Sequence, residues 1–224
     1  MKTVVLSSNN NPDYFNYLPY VEKAWGMLGW NTLTYLVDME GGGMAPHARI
    51  SIPSSPAFRQ DTFTQCVRLL AHHDIDSGTL MTSDIDMIPI SNYWSPNPAV
   101  WTVYGRDLTG HEHHPICYIS GDKSLWAKTF PEESVTQLLG KYPQSSSSDF
   151  YQYWFTDQII ATERIVDYVS VERGTEAGLA KGRIDRADWA GTLARVSAGI
   201  DAHMVRPFSP DEAERCLAML SANL

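Results

Sequence analysis

Thr79-Leu80-Met81-Thr82-Ser83-Asp84-Ile85-Asp86-Met87-Ile88-Pro89 is the stretch on which the reading of this chain turns. Four residues of strand character run into two carboxylates separated by one residue, and an apolar run resumes directly behind them. Two aspartates at the end of a buried strand cannot both sit in the core as unpartnered ions, because desolvating a lone charge is expensive. The pair asks for a cation. Hard oxygen ligands on a short loop suit Mg²⁺ or Mn²⁺, ions that keep positions open for the oxygens of a diphosphate. The competing reading is a capping or surface aspartate pair; the position at a strand's carboxyl end favours the ligand reading.

Upstream of this stretch the pattern is β-α-β-α-β. Thr3 to Leu6 is β-branched and apolar and ends in Ser7-Ser8-Asn9-Asn10-Asn11-Pro12, a turn-forming cluster. Asp13 to Gly29 reads as one helix, with Tyr14, Leu18, Val21, Trp25 and Leu28 on its inner face and Gly29 as its stop. Thr32 to Val37 is a second strand closed by Asp38, followed by a long loop at Gly41-Gly42-Gly43. Pro56 opens a second helix whose buried stripe is Phe58, Phe63, Val67, Leu70 and Ala71, and Thr79 to Thr82 is the third strand. Such alternation predicts a mixed, mainly parallel central sheet flanked by helices, with ligands collecting beyond the strands' carboxyl ends. Those ends read Ser7-Ser8-Asn9, Asp38 and Asp84-Ile85-Asp86, all polar. No GxGxxG follows the first strand and no GKS or GKT occurs, so neither the dinucleotide fingerprint nor the P-loop is present.

Downstream, Ala99 to Tyr104 and Ile116 to Ile119 read as strands around a His-rich loop, Gly110 to Pro115. Trp126 to Phe130 and Glu132 to Leu139 read as helices, Ser145 to Ser148 as a loop, and Asp149 to Ile165 as an aromatic-rich helix. Ile165 to Val171 is a last strand, Gly174 to Gly199 is polar and irregular, and Asp211 to Leu220 is a terminal amphipathic helix started at Pro210. No repeat or linker divides the chain, which predicts one domain over 1–224, with nucleotide binding in about 1–90 and acceptor binding and catalysis in about 91–224.

The composition of the 224 residues, 43% hydrophobic and 19% charged, is that of a folded globular chain. Seventeen basic against 26 acidic side chains leave a net charge of −9, which disfavours nucleic acid and anionic membranes as partners. Phosphate must then be met locally, by a metal or a few placed arginines. Apolar runs such as Val4 to Leu6 fall far short of the roughly 20 residues that span a bilayer. Met1 to Ser8 reads as a first strand, not a signal peptide, which suggests a cytoplasmic protein. Cys66, Cys117 and Cys216 lack any paired spacing and read as reduced, semi-buried thiols, none marked as a nucleophile.

In this order of strands and carboxylates the sequence resembles the nucleotide-sugar-dependent glycosyltransferases of the GT-A fold. Gln65-Cys66-Val67-Arg68-Leu69, Cys117-Tyr118-Ile119-Ser120-Gly121, Thr156-Asp157-Gln158 and Asp201-Ala202-His203 extend the likeness over most of the chain, with a narrower similarity to the small metal-dependent enzymes of large algal viruses and related bacteria. The resemblance implies a donor site of Ser7, Ser8 and Asn9 on base and ribose, Asp38 on the nucleobase imide, and the Ser83-Asp84-Ile85-Asp86 loop. It also implies a metal held by Asp86 and His203, with Asp84 reaching its water shell, and imidazole in the set favours Mn²⁺ over Mg²⁺. Asp157 takes the position of the base that deprotonates the acceptor if transfer inverts, a helix N-cap being the alternative.

Arg68, Arg59 and Arg206 are candidates for the diphosphate, with Gly121 beside the donor. Tyr118, Asp122, Trp126 and Gln158 are candidates for the sugar or acceptor pocket, since Asp accepts from hydroxyls and an indole face stacks on a pyranose. Arg183 and Arg186 could close over the diphosphate or form a charged surface turn. His111, His113 and His114 are a rival metal cluster without recognised ligand spacing. The expected function is transfer of a sugar from a nucleotide diphosphate sugar, UDP by family likeness, to a glycan or other hydroxyl acceptor. A sugar-1-phosphate nucleotidyltransferase is the first rival, although Ser7 to Pro12 carries no glycine or basic residue; a noncatalytic nucleotide- or carbohydrate-binding module is the second.

Overall fold

The computed structural model describes residues 1–41, 46–105, 113–171, 175–176, 179–180, 182–195 and 199–224. The first half runs β1 (Lys2–Ser8), α1 (Pro12–Phe15), α2 (Leu18–Met27), β2 (Asn31–Val37), β3 (His47–Ile52) and α3 (Gln60–Cys66), then a 3₁₀ stretch (Val67–Asp74), β4 (Thr79–Thr82) and β5 (Met87–Pro89). The second half runs β6 (Trp101–Tyr104), β7 (Ile119–Asp122), α4 (Lys123–Thr129), α5 (Val135–Leu139), α6 (Phe150–Trp154), α7 (Thr156–Arg164), β8 (Tyr168–Val171), the short pair β9 (Thr175–Glu176) and β10 (Leu179–Ala180), β11 (Arg183–Ile184), α8 (Trp189–Arg195), β12 (Asp201–His203) and α9 (Pro210–Ala222).

Seven strands form the central sheet in the order β3-β2-β1-β4-β7-β6-β8. Neighbouring strands are parallel except at β7, which runs antiparallel to both β4 and β6, so one strand of the seven is reversed. Successive side chains of a strand point to opposite faces. Val5, Leu33, Tyr35, Val37 and Leu80 accordingly join one core with residues of α3, α4, α5 and α7. Val4, Leu6, Leu36 and Met81 join a second core with residues of α2 and α9. The expected mixed, mainly parallel sheet with helices on both faces is therefore what forms, and burial of each Val or Leu in it is worth about 1.5–3 kcal/mol.

The aromatic residues concentrate on the α2 side. Trp25, Trp94, Tyr104 and Tyr118 pack ring on ring, with Trp94 and Tyr118 centroids 4.1 Å apart. Tyr17, just ahead of α2, donates its hydroxyl to the Val205 carbonyl at 2.6 Å and accepts the Ser209 N–H at 3.1 Å, tying down the segment that carries His203 and Arg206.

Several expected boundaries move, for local reasons. A single helix over Asp13 to Gly29 is interrupted at Asn16 and Tyr17, because Pro19 inside a continuous helix would lose a hydrogen bond and clash with the preceding turn. The chain restarts instead, with Pro19 in the first turn of α2, and Gly29 follows at φ +74°. The helix expected from Pro56 begins at Gln60 and tightens to 3₁₀ after Cys66. The Asp149 to Ile165 helix is divided at Phe155, with Asp149 capping α6 through the Tyr151 and Gln152 N–H groups. β3 is an edge strand that the composition of His47 to Ile52 did not announce; Gly42 and Gly43 before it lie outside the described residues.

A second, three-stranded sheet, β11-β12-β5, does the work of assembling the site. β12 pairs antiparallel with β5, setting His203 opposite Met87, and the Met204 N–H donates to the Asp86 carbonyl at 2.9 Å. A residue near the C-terminus is thereby fixed beside the Asp84-Ile85-Asp86 loop. Among the described residues, no helix is long and apolar enough to cross a membrane.

Candidate active site

A cleft of about 710 Å³ opens beyond the carboxyl ends of β1 and β4. Ser7, Ser8 and Asn9 line it from β1, Asp84, Ile85 and Asp86 from the loop after β4, Arg59, Gln65 and Arg68 from the α3 region, Asp157 and Gln158 from α7, and Arg186, His203 and Arg206 from the C-terminal segment. Residues nearly 200 positions apart meet there because β1 and β4 pair side by side while β5 and β12 bring in the chain's far end.

The two aspartates of the loop have separate partners. Asp84 Oδ1 accepts from Arg68 Nη1 at 2.6 Å, and the same nitrogen donates to the Ser83 carbonyl at 2.9 Å. Arg68 Nη2 donates to Asp157 Oδ2 at 3.1 Å and its Nε to the Gln65 carbonyl at 3.2 Å. This guanidinium is buried, with four of its five N–H groups bonded, and it ties the loop to α7. In this arrangement it lines the cleft from within the wall and orients two carboxylates. Burial lifts Asp157 to about 6, with the Arg68 charge pulling the other way. The other Asp157 oxygen accepts the Gln158 N–H at 2.8 Å from within the first turn of α7, so Asp157 does not occupy the N-cap, which is Phe155.

Asp86 is buried and gathers positive charge. Its Oδ2 accepts from Arg206 Nη2 at 2.7 Å and Arg186 Nη1 at 2.9 Å, with His203 Nε2 3.6 Å away. Burial alone would raise its carboxyl; the hydrogen bond and charge of His203 and the Arg206 guanidinium hold it far below the usual range. His203 Nδ1 faces Asp185 Oδ2 at 3.9 Å. Burial works against charging this imidazole, and the two carboxylates, Asp185 and Asp86, prevail and raise it. Arg206 also lies 3.9 Å over the Tyr14 ring. Two arginines facing one carboxylate leave a local excess of positive charge in an acidic chain.

Whether these residues fit a divalent cation depends on the donor set. Asp86 Oδ2 and His203 Nε2, 3.6 Å apart, are near enough to share one ion. Asp84 gives one oxygen, Oδ1, to Arg68, and among the described residues no three His, Cys, Asp or Glu side chains stand together as a ready-made metal cage. One carboxylate and one imidazole, with the rest of the shell left to phosphate oxygens and water, is a set that Mg²⁺ and Mn²⁺ accept. Of the rival histidines, His114 is buried, with its Nε2 3.0 Å from the Ile165 carbonyl, and His111 lies outside the described residues.

Other sequence candidates fall in different places. Asp38, at φ +55° after β2, is exposed beside the cleft; Ser54 and Gln60 donate to its carboxylate, which keeps it acidic, and Gln60 in turn accepts from Asn9. Arg59 lies over the Tyr153 ring at 3.8 Å and pairs with Asp61. Ser83 is wholly buried, offering its carbonyl to Arg68 rather than its side chain to the cleft.

Gly121, Asp122 and Trp126 are corrected. β7 runs antiparallel to β4, so Gly121 and Asp122 pair with Leu80 and Thr79 at the end of β4 remote from the aspartate loop. Gly121 makes room for the Trp101 ring, Asp122 caps α4 through the Ser124 N–H and hydroxyl, and Trp126 packs on Trp101 and Phe130 in the core. Tyr118 is likewise corrected: it is fully buried among aromatic rings and does not line the cleft. Arg183 is corrected too, since both arms of its fork are taken by buried Asp201 at 3.0–3.1 Å. The three cysteines are free thiols, all raised by burial, Cys117 and Cys216 to about 12.

Asp185, Gln60 and Tyr14 belong to the site without having been singled out as functional. Nothing in the local sequence marks them, because each acquires its place through a partner far away in the chain.

Neither a family model nor a curated protein sequence matches the chain. Solved structures do. The galactosyltransferase LgtC, in complex with donor and acceptor sugar analogues, superposes with a TM-score of 0.56 at 11% identity, over 99% of this chain and 96% of that one. The apo-form glycosyltransferase GlyE of Streptococcus pneumoniae TIGR4 superposes at 0.57 with 9% identity, over 98% of this chain and 60% of its own. A glycosyltransferase involved in glycosylation of the major capsid of PBCV-1 superposes more loosely, at 0.49 with 12% identity, over 97% of this chain and 98% of that one. At these identities the likeness concerns the backbone, and it establishes that this chain has the GT-A fold of the glycosyltransferases LgtC and GlyE.

Proposed function

We propose that the chain is a glycosyltransferase that moves a sugar from a nucleotide diphosphate sugar, UDP in the first instance, to a hydroxyl acceptor with inversion, working as one domain. The observation that carries this reading is the pairing of Asp86 with Arg186, Arg206 and His203 at the mouth of β4, opposite the polar end of β1. Ser7, Ser8, Asn9 and Asp38 offer hydrogen-bonding groups on the side suited to base and ribose. Arg186 and Arg206, about a third exposed while bonded to Asp86, present the guanidinium surface that a diphosphate would meet; sequence reasoning named both for that place, along with Arg68 and Arg59.

Asp86 and His203 are the residues that would hold a Mn²⁺ or Mg²⁺ ion. Such an ion supplies positive charge to the diphosphate as it departs. Asp157 acts as base: each of its oxygens keeps lone-pair capacity beyond the Arg68 and Gln158 bonds, and its raised affinity for a proton, near 6, places it close to a working pH. In the transfer the acceptor hydroxyl gives its proton to Asp157 and its oxygen bonds to the anomeric carbon. The bond from that carbon to the diphosphate oxygen breaks, and its electron pair leaves with the nucleotide.

UDP release from a panel of UDP-sugars with Mn²⁺, in the wild type and Asp86→Ala, tests the reading. Metal-dependent release lost in the variant is expected; no metal-dependent turnover with any nucleotide sugar would leave a binding module. Asp157→Asn is expected to abolish transfer and keep donor binding; loss of donor binding would remove the base assignment.

A further inference from the structure

α6 presents aromatic rings to solvent at the rim of the cleft. Phe150 is 51% and Tyr151 71% exposed, two large aromatic side chains next to each other at the surface. The rings are ordered in i,i+4 pairs: Phe150 stacks with Trp154 at 5.4 Å between centroids and 15° between planes, and Tyr151 with Phe155 at 6.2 Å and 19°. Beneath them Tyr153 is buried under the Arg59 guanidinium, and Asp149 caps the helix, so the rings stand on a fixed base. Trp154 itself lines the cleft, with Gln158 one turn further on. The exposed rings are thus continuous with the wall that holds Asp157.

We propose that this face of α6 is the acceptor platform, and that its occupant is a carbohydrate whose ring lies flat on Tyr151, with the Phe150 ring, 5.8 Å away and turned 83° from it, standing beside it; the inference rests on the transfer function proposed above. The C–H face of a pyranose matches an exposed aromatic face, and the hydroxyl groups at its edge need polar partners. Gln152 is exposed on α6, and Arg59, Asp61 and Gln158 line the same cleft as Trp154, polar groups available to those hydroxyls. An anionic bilayer is a poor alternative, because Asp149 precedes the rings as the N-cap of α6 in a chain of net charge −9.

The full chain with UDP and Mn²⁺ is titrated calorimetrically with α- and β-linked oligosaccharides of glucose, galactose, mannose and N-acetylglucosamine. At least one is expected to bind, Tyr151→Ala and Phe150→Ala each weakening it about three- to ten-fold. Tyr151→Phe, which keeps the ring, is expected to stay within about two-fold. Absence of any binder, or alanine variants that bind as the wild type does, overturns the proposal. So does loss of self-association, or of binding to phosphatidylcholine vesicles, in Tyr151→Ala with sugar binding unchanged, since a second copy or a lipid then owns the face. UDP release with unaltered acceptor binding in both alanine variants defeats the platform alone. Ring-dependent sugar binding without UDP release from any donor supports the platform and defeats the transfer reading.

Discussion

Replacing Arg68 with Met tests the network that connects the aspartate loop to α7. Arg68 is 3% exposed and makes four hydrogen bonds, to Asp84, Asp157 and the carbonyls of Ser83 and Gln65. Met preserves much of the stem's packing and removes the charge, leaving Asp157, 1% exposed, as an uncompensated buried carboxylate. Breaking a buried pair from one side costs about 3–5 kcal/mol. For a chain of this length that corresponds to a loss of roughly 6–20 °C in Tm. The cost depends on pH in a definite sense. Asp157 already takes up its proton near 6 in the folded chain, above the ordinary aspartate value of 3.8, and losing Arg68 raises it further. A carboxyl raised on folding contributes stability that is present below the unfolded value and lost as pH rises through the folded one. Arg68→Met should therefore be most destabilised above pH 7 and recover by about 1.4 kcal/mol per pH unit as pH falls below its own folded value. Urea unfolding followed by tryptophan fluorescence at pH 5.5 and 7.5 measures both. The double variant Arg68→Met, Asp157→Asn should regain most of the loss, because no buried charge remains. A loss under about 1 kcal/mol at pH 7.5, or a double variant no better than the single, would refute the reasoning.

Three further outcomes are expected. Glu132 is buried against Arg164 and Lys141, whose bonds overcome burial and hold its carboxyl at about 2 against an ordinary 4.5. A carboxylate depressed on folding stabilises above its unfolded value, so Glu132→Gln should lose about 3 kcal/mol above pH 4.5. The difference from wild type should vanish as pH drops toward 2, which acid titration of the unfolding midpoint checks. A Cβ on Gly121 would come 3.1 Å from the Trp101 ring, so Gly121→Ala should cost about 1–3 kcal/mol in thermal unfolding and leave nucleotide-sugar affinity unchanged, since the residue lies away from the cleft. Asp185 faces Nδ1 of His203 as Asp86 faces Nε2. Asp185→Asn should weaken Mn²⁺ binding about ten-fold or more, read by paramagnetic resonance of free Mn²⁺ without any turnover.

Alternation of strands and helices, the polar strand ends and the aspartate pair after Thr82 were all legible without coordinates, because hydrophobic periodicity and turn chemistry are local properties. Ser7 to Asn9, Asp84 to Asp86, Asp157, Gln158, His203 and Arg206 do converge on one cleft. Helix interruption at Pro19 was legible in principle, since proline acts on its own turn. The direction of β7 was not: a strand's sense relative to its neighbour is set by the connection, and that single reversal removes Gly121 and Asp122 from the site and gives Trp126 to the core.

Charge partnership was likewise undecided by the sequence. Local pattern identifies Asp84, Asp86, Arg68, Arg186 and Arg206 as ionisable, and the −9 balance says that phosphate must be met by a few placed cations. Which carboxylate each arginine serves depends on distances of a few ångströms across segments about 15 to 120 residues apart, and in a buried setting such distances decide whether an ion is stable. The sequence by itself determined the layered α/β architecture and the end of the sheet where chemistry belongs. Only the tertiary structure turned Arg68 inward to hold Asp84 and Asp157, and left Arg186 and Arg206 at the surface of the cleft beside Asp86.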